Sequence, residues 1–466
     1  MSSKMPGKHI QIGLSIEGFK SFRSQCRVQL RPLTVLAGPN SSGKSTFFQP
    51  FLLLKQTEEE PSTVDPVHLS GPYVNFRNYS ELFWHRGREH LQSYSVGLFD
   101  AHGDAAEQQV SFDADSSRLV LTSLKLVNGK STRVLKVGDS FSRNVFQDYD
   151  KSYDGLLSSL SGMKSISSLN VGAMTWHVVA HKGYLVGRPE LPRDSDGKMA
   201  GRSLIAFLPW EPLGLLESCC RNMIHLPGLR NEPARTYPLI YPRFPSLDDS
   251  EIPDFIPIDE RPTHFSGQFQ NHVAGILDLW QQQSRSQQNG GKLGQLNRQL
   301  HDLGFRGSIR VRHVSDTDAE ILLGNCSLAD VGLGVSQVLP ILVALLAAVP
   351  RQIVHVEQPE LHLHPGAQSR LVRILSDAAK RGVLVVVETH SPLILLGVQT
   401  LVANGTLAPN MVALNWFSLT SEGSSQVVRR DLDERGRVSD WPEDFGKVTL
   451  AAQKEYLLAS LKRSGR

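Results

Sequence analysis

Apolar residues along this chain form short, well-marked runs at both ends and a looser pattern in the middle. Residues 10–37 read as short strands, IQIGLSIEGF, RVQL and LTVLAG, divided by turn-prone residues. A helix is expected over 44–56, carrying FFQPFLLLKQ, with Pro50 inside it as a source of kinking or early termination. Between 86 and 325 strand-like pieces (SYSVGL, RLVLTSLKLV, TWHVVAH) alternate with polar, Gly- or Ser-rich turns, and the proline-rich stretch 231–262 reads as loop. Helical spacing returns over 271–283 and 293–305, around a polar link, Gln281 to Lys292.

From Ser308 the pattern sharpens. SIRVRHV and AEILLG predict a β-hairpin, and VSQVLPILVALLAAV an apolar helix with Pro340 near its start, where proline is tolerated. RQIVHVEQ and GVLVVVETH read as two buried strands with a helix, Gln368 to Lys380, between them. That β-α-β order implies a parallel sheet with a right-handed crossover. The expectation is an α/β protein in three stretches. Residues 1–85 and 326–466 form the two parts of one α/β domain, and 86–325 an inserted lobe of mixed strand and helix.

Composition adds limits. A chain of 466 residues, 40% hydrophobic and 20% charged, has the length for one large domain or two smaller ones. Lys and Arg number 49 against 46 Asp and Glu, so a net charge of +3 gives no argument for nucleic acid. Cys26, Cys219, Cys220 and Cys326 form neither a zinc spacing nor a disulfide framework, and read as small buried hydrophobes in a reducing compartment. The opening MSSKMPGKHIQIG has no apolar signal region. The longest apolar run, Val338 to Val349, falls short of the ~20 residues a bilayer requires. A cytoplasmic protein with no membrane partner is expected.

Four motifs carry chemistry. Gly38, Pro39, Asn40, Ser41, Ser42, Gly43, Lys44 and Ser45 fit G-x-x-x-x-G-K-[ST], after an apolar strand and at the start of a helix, with Thr46 next. Glycines let backbone N–H groups close on phosphates, Lys44 brings charge to the β- and γ-phosphates, Ser45 ligates Mg²⁺, and the helix N-terminus adds partial positive charge. Second, the strand ending at Glu357 places an acid where Mg²⁺ would be held opposite Ser45. The next residue, Gln358, cannot take a proton, and Glu360 lies two residues on; either could position the attacking water. Third, His390 follows the strand VLVVV in Glu388-Thr389-His390-Ser391, where it could contact a γ-phosphate and sense its loss. Fourth, Gly332, Gly334, Ser336 and Gln337 open the apolar helix as a small-residue nest for an anion.

Together these elements resemble an ABC-class ATPase head of the kind found in SMC, RecF and overcoming-lysogenisation-defect proteins. More closely, they resemble stand-alone bacterial proteins labelled AAA family ATPase. That second resemblance rests on Gly18 to Phe22, on the phosphate loop, on the Glu-Gln-Pro-Glu-Leu-His-Leu-His-Pro run, on Glu-Thr-His-Ser, on HLPGLRNEPARTY and on DWPEDF. It implies a P-loop fold with ATP and Mg²⁺ as cofactors. It further implies a homodimer or higher oligomer whose composite site faces Gly334, Ser336 and Gln337 of one subunit toward the loop of the other. Leu363-His364-Pro365 then looks like the segment crossing that interface, and the H-x-H of His362 and His364 belongs to it rather than to a metal site. The activity implied is slow ATP hydrolysis by a molecular switch that signals to a separately encoded effector protein, or to DNA, in bacterial antiviral defence. The alternatives are a RecF-like repair ATPase and an ATP-binding scaffold without turnover. No long heptad insertion is present, and Asp431-Leu-Asp433 reads as a charged turn rather than a nuclease element. Arg230 and Arg235 read either as phosphate or partner contacts or as surface ion pairs. Gln49, Gln56 and Asn75 are rival candidates for a Mg²⁺-linked amide.

Overall fold

A computed structural model describes residues 12–60, 67–100, 103–128, 131–142, 175–181, 183–189, 211–242, 263–284 and 291–438. Packing groups the chain into two units that share no simple boundary. One gathers Met1–Leu30, Ser45–Met223 and Leu419–Gln426; the other Arg31–Lys44, Ile224–Ser418 and Val427–Arg466.

The first unit is built on an antiparallel sheet of order β2-β1-β6-β7-β8-β9. Its strands are β1 (Ile12–Glu17), β2 (Cys26–Gln29), β6 (Ser93–Asp100), β7 (Ala105–Asp113), β8 (Arg118–Asn128) and β9 (Ser131–Lys136). The two-residue strands β4 (His85–Arg86) and β5 (Glu89–His90) form a separate ribbon. A small sheet joins β10 (Ser140–Ser142), β11 (Thr175–His181) and β12 (Tyr184–Pro189). Gly13 in β1 leaves room for the Phe99 ring, which lies 2.1 Å from where a Cβ would stand. Strand β7 was not foreseen, because polar residues sit in its core. Glu107 is buried and accepts hydrogen bonds from Ser15 (3.3 Å), Gln25 (2.6 Å), Arg27 (3.3 Å) and Lys125 (3.4 Å).

Helix α1 (Lys44–Glu59) is not cut short by Pro50. Phe47, Phe48 and Phe51 on either side of the proline are fully buried, and tertiary packing of this kind overrides a local breaker. Phe47 meets Phe22 edge-on, and Phe19 stands edge-on to both Phe76 and Tyr94. On α2 (Glu211–Asn222), Arg221 pairs with Glu58, while Lys55 pairs with Glu59 at 2.8 Å and donates to the Arg221 carbonyl at 2.7 Å.

The expected parallel pairing joins β13, β18, β19, β3 and β20, in a sheet of order β13-β18-β19-β3-β20-β21 that lies mainly in the second unit. Its strands are β3 (Leu33–Ala37), β13 (Ile224–Leu226), β18 (Ile353–Glu357), β19 (Leu384–Thr389), β20 (Val412–Leu419) and β21 (Ser425–Arg430). Continuous apolar runs such as Leu33–Ala37, buried at every position, are what a strand covered on both faces requires. Among the described residues this unit has the α-helices α3 (Val273–Ser284), α4 (Gly291–Asp302), α5 (Leu333–Ala347), α6 (Pro365–Lys380) and α7 (Pro392–Ala403). Helix α5 is buried from Val335 through Leu346. Helix α6 begins three residues earlier than the apolar pattern indicated, because His364 caps it with Pro365 at its first turn. The foreseen hairpin is β15 (Ile309–His313) with β16 (Asp318–Leu323), extended by β14 (Tyr237–Pro238) and β17 (Cys326–Ser327). The start of the polar link, through Ser284, is helical.

Candidate nucleotide site

Register decides where chemistry can gather. Parallel pairing sets Ala37 beside Thr389 and Trp416, Leu36 beside Glu388, and Glu388 beside Glu357. Strands β18, β19 and β3 therefore end together, and the loops leaving them open onto one edge, the usual ligand edge of a parallel sheet.

The loop after β3 is held to its shape by backbone. Gly38 has φ 150°, and a Cβ there would stand 2.2 Å from the Phe417 carbonyl oxygen, so no other residue fits. Gly43 (φ 100°) and Ser41 (φ 62°) complete the curve. Lys44 is buried and its Nζ donates to the carbonyls of Gly38 (3.0 Å) and Pro39 (2.7 Å). Burial lowers its pKa, and the nearby Glu388 works the other way. Ser45 is exposed and Thr46 half-buried, as the second and third residues of α1.

The loop after β18 turns at Gln358, which adopts a left-handed φ of 43° and donates its N–H to the Glu388 carbonyl at 2.8 Å. Glu357 Oε2 accepts from the Gly228 N–H at 3.2 Å. Burial and the charge of Glu388 push the Glu357 carboxyl up, against the pull of His355. Glu360 reaches back to β19: its Oε1 accepts from Thr389 Oγ1 (2.8 Å) and from the His390 N–H (2.9 Å). Its Oε2 is buried without a hydrogen-bond partner. The His390 pKa is lowered by burial first and by Lys44 second. Lys44, Glu357, Gln358, Glu360 and His390 thus belong to one sheet edge.

Arg230 is neither an outward contact nor a surface ion pair. It is 5% exposed and donates to the carbonyls of Pro227 (3.0 Å), Glu357 (3.1 Å) and Gln358 (3.3 Å). Burial brings its pKa down to about 10 despite Glu360 and Glu357. Arg235, five residues on, is exposed and pairs with Asp330 at 2.6 Å. On α5, Ser336 donates to its own helix at Leu333 O (2.9 Å), and Gln337 donates to the carbonyls of Arg230 (3.4 Å) and Asn231 (3.3 Å). Both side chains are buried within the subunit; Gly332 and Leu333 are the exposed part of this helix start. A Cβ on Gly334 would stand 3.0 Å from His362 O, and a cavity of ≈ 420 Å³ lies between this helix start and the His362–Ala367 segment. His364 Nδ1 accepts from the Gly366 N–H, which gives it a capping role. Gln56 is occupied in the first unit, holding His68 O and the Val74 N–H, and Gln49 accepts from Lys20.

Sequence reasoning missed two histidines. Parallel pairing of β13 with β18 sets His225 directly beside His355, and their Nδ1 atoms lie 3.1 Å apart. His355 Nε2 meets Glu388 Oε1 at 3.0 Å, and His225 Nε2 lies 3.7 Å from Glu357 Oε1. The signal was the apolar pair Met223-Ile224 before HLPGLRNE, too short to read as a strand of the main sheet.

Residues 252–396 match the family model described as "AAA domain, putative AbiEii toxin, Type IV TA system". No curated protein matches the chain. Among solved structures, the chain is similar to an SMC head bound to the C-terminal winged-helix domain of ScpA (12% identity, TM-score 0.46, covering 91% of this chain and 98% of that one). It is also similar to an SMC head domain from Thermotoga maritima (11%, 0.38, 90% and 98%). A third is an Smc head with extended coiled coil bound to the C-terminal domain of ScpA, from Pyrococcus furiosus (12%, 0.41, 90% and 96%). Among the described residues no helix is long and apolar enough to cross a membrane. A loop that fits the phosphate-binding pattern, a strand-end acid and a strand-end histidine thus leave one edge of a parallel sheet, and the stretch that matches the AAA-domain family holds the last two.

Proposed function

We propose that the chain binds ATP with Mg²⁺ through Gly38–Thr46 and hydrolyses it slowly. It acts in the cytoplasm as a switch that closes a homodimer on nucleotide and passes its state to a separately encoded effector in antiviral defence. Lys44 would carry charge to the β- and γ-phosphates, and Ser45 with Glu357 would hold Mg²⁺, which supplies charge neutralisation on the phosphates when bound.

The observation that carries this reading is Glu360. One oxygen is anchored by Thr389 and His390, while the other is buried and unpartnered. A carboxylate so fixed keeps a second oxygen for a water, at the edge where Lys44 and His390 lie. Gln358 shapes the turn and Arg230 ties down the carbonyls of Glu357 and Gln358. One observation favours a second reading, a scaffold without turnover: the residue next to Glu357 is Gln358, which cannot accept a proton.

ATP turnover and particle size with and without ATP separate the two. Lys44→Ala and Glu360→Gln should each abolish turnover, and Glu360→Gln should accumulate an ATP-bound dimer. A wild type that binds ATP yet turns over no faster than Lys44→Ala overturns the switch and leaves the scaffold.

A further inference from the structure

The buried His225–His355 pair has no part in the chemistry above. Each ring is fixed by a strand, and the two are in register on one face of the sheet with Glu357 and Glu388. One nitrogen from each ring and one Glu357 oxygen lie within 4.8 Å of one another. His355 turns its Nε2 to Glu388 at 3.0 Å, and His225 turns its Nδ1 to His355 Nδ1 at 3.1 Å. A carboxylate on the far nitrogen of an imidazole fixes the tautomer that offers the near nitrogen to a metal, the usual supporting partner of a metal-bound histidine. Two nitrogen ligands at roughly 2.0–2.1 Å from one ion stand about 3–3.4 Å apart, so the Nδ1 pair is already at ligand spacing. The Glu357 side chain keeps 22% exposure, and its Oε1 already stands 3.7 Å from His225 Nε2.

We propose that His225, His355 and Glu357 form a second metal site, selective for a divalent transition ion of the zinc and cobalt class, supported by Glu388 and inhibitory to the nucleotide site. Two imidazoles and one carboxylate suit such an ion, whereas Mg²⁺ prefers oxygen ligands. Glu357 belongs to both sites. Bound to the buried ion, it is withdrawn from the strand end where Mg²⁺ would be held. The inhibitory part rests on the ATPase reading; the binding part does not.

The full chain, stripped of metal, is titrated with Co²⁺ in the absence of nucleotide, and the visible spectrum records inner-sphere binding. One Co²⁺ per chain is expected, displaced by Zn²⁺, and Lys44→Ala should bind it equally. His225→Gln should weaken binding at least about 100-fold, and Glu388→Gln, which alters only the supporting partner, about 10- to 100-fold. Unfolding curves confirm that each variant is folded, and the graded Glu388→Gln result guards against a His225→Gln variant that is not. In turnover assays with excess Mg²⁺, Zn²⁺ should inhibit wild type at equimolar amounts and His225→Gln only at far higher concentration. No Co²⁺ bound by wild type, or equal binding by wild type and His225→Gln, overturns the site. Equal Zn²⁺ inhibition of both, with binding lost in His225→Gln, overturns its inhibitory role. Wild type that binds Co²⁺ but lacks turnover leaves the site standing and overturns the ATPase reading alone.

Discussion

The chain contains two six-stranded sheets of opposite construction. In the first unit every strand of β2-β1-β6-β7-β8-β9 runs against its neighbour, so the loops leave alternate ends and no edge collects them. In the second, β13, β18, β19, β3 and β20 run one way, and three loops with acids, a lysine and a histidine leave one edge. The antiparallel sheet has polar side chains in its interior, such as Glu107 with four donors, where they hold structure. The parallel sheet also buries polar groups within its strands, His225, His355 and Asn415 among them, and carries Glu357 and Glu388 near its strand ends. Strand direction, more than composition, separates a region that holds shape from one that gathers its reactive side chains at one edge.

Substitutions in the two regions should therefore fail differently. Lys44→Ala should cut ATP turnover by roughly 10²–10³-fold, the scale for losing one charge aimed at a developing anion, with a much smaller change in the denaturation midpoint. A loss of stability to match would erase the contrast. Phe19→Ala removes a fully buried ring that stands against Phe76 and Tyr94. It should cost about 3–5 kcal/mol in denaturant unfolding while turnover per folded molecule holds. A drop in kcat at saturating ATP, measured on protein shown to be folded, would tie the aromatic core to the chemistry.

Glu58 sharpens the comparison through pH. Burial raises its carboxyl to about 7 from 4.5, although Arg221 pulls it down. Between those values the folded chain holds a proton that the unfolded chain has released, so this group's contribution is intact below about 4.5 and lost as pH rises through about 7. Glu58→Gln should accordingly gain Tm relative to wild type as pH goes from 5 to 8, in a scan at each pH. A flat difference would mean that Glu58 is charged in the fold. The smallest effect belongs to Arg235→Ala. The ion pair with Asp330 is exposed at both ends, and its loss should change stability by no more than about 0.5 kcal/mol in the same unfolding assay.

What could be read without coordinates follows the same division. The loop 38–45 follows a mainly apolar strand and fits a fixed spacing, and Glu357, Glu360 and His390 stand at or just past the ends of Val-rich strands. The core helix α5 and the β-α-β unit were legible because their apolar runs are long. Strand β7 was not, because Glu107 and Gln108 are buried in it and break the apolar pattern. Arg230 was misjudged because a guanidinium in a polar stretch looks exposed; only the parallel placement of β13 beside β18 brings it under the carbonyls of Glu357 and Gln358. His225 and His355 are 130 residues apart in sequence, and no local pattern reports that two strands will align them. Gln337 was expected to face nucleotide across an interface, and the structure engages its amide with the Arg230–Asn231 carbonyls.

The enclosure of Gly38 has a consequence for biosynthesis. Strand β3 lies between β19 and β20, and the phosphate loop takes its shape against the Phe417 carbonyl. A ribosome adding about 5–20 residues per second needs on the order of tens of seconds to travel from the loop to the strand that shapes it. The nascent chain therefore emerges with this motif exposed and unformed, and the loop takes its final shape only after β20 has been made. Premature termination before β20 would yield a polypeptide that carries the whole motif without the backbone carbonyl that shapes it.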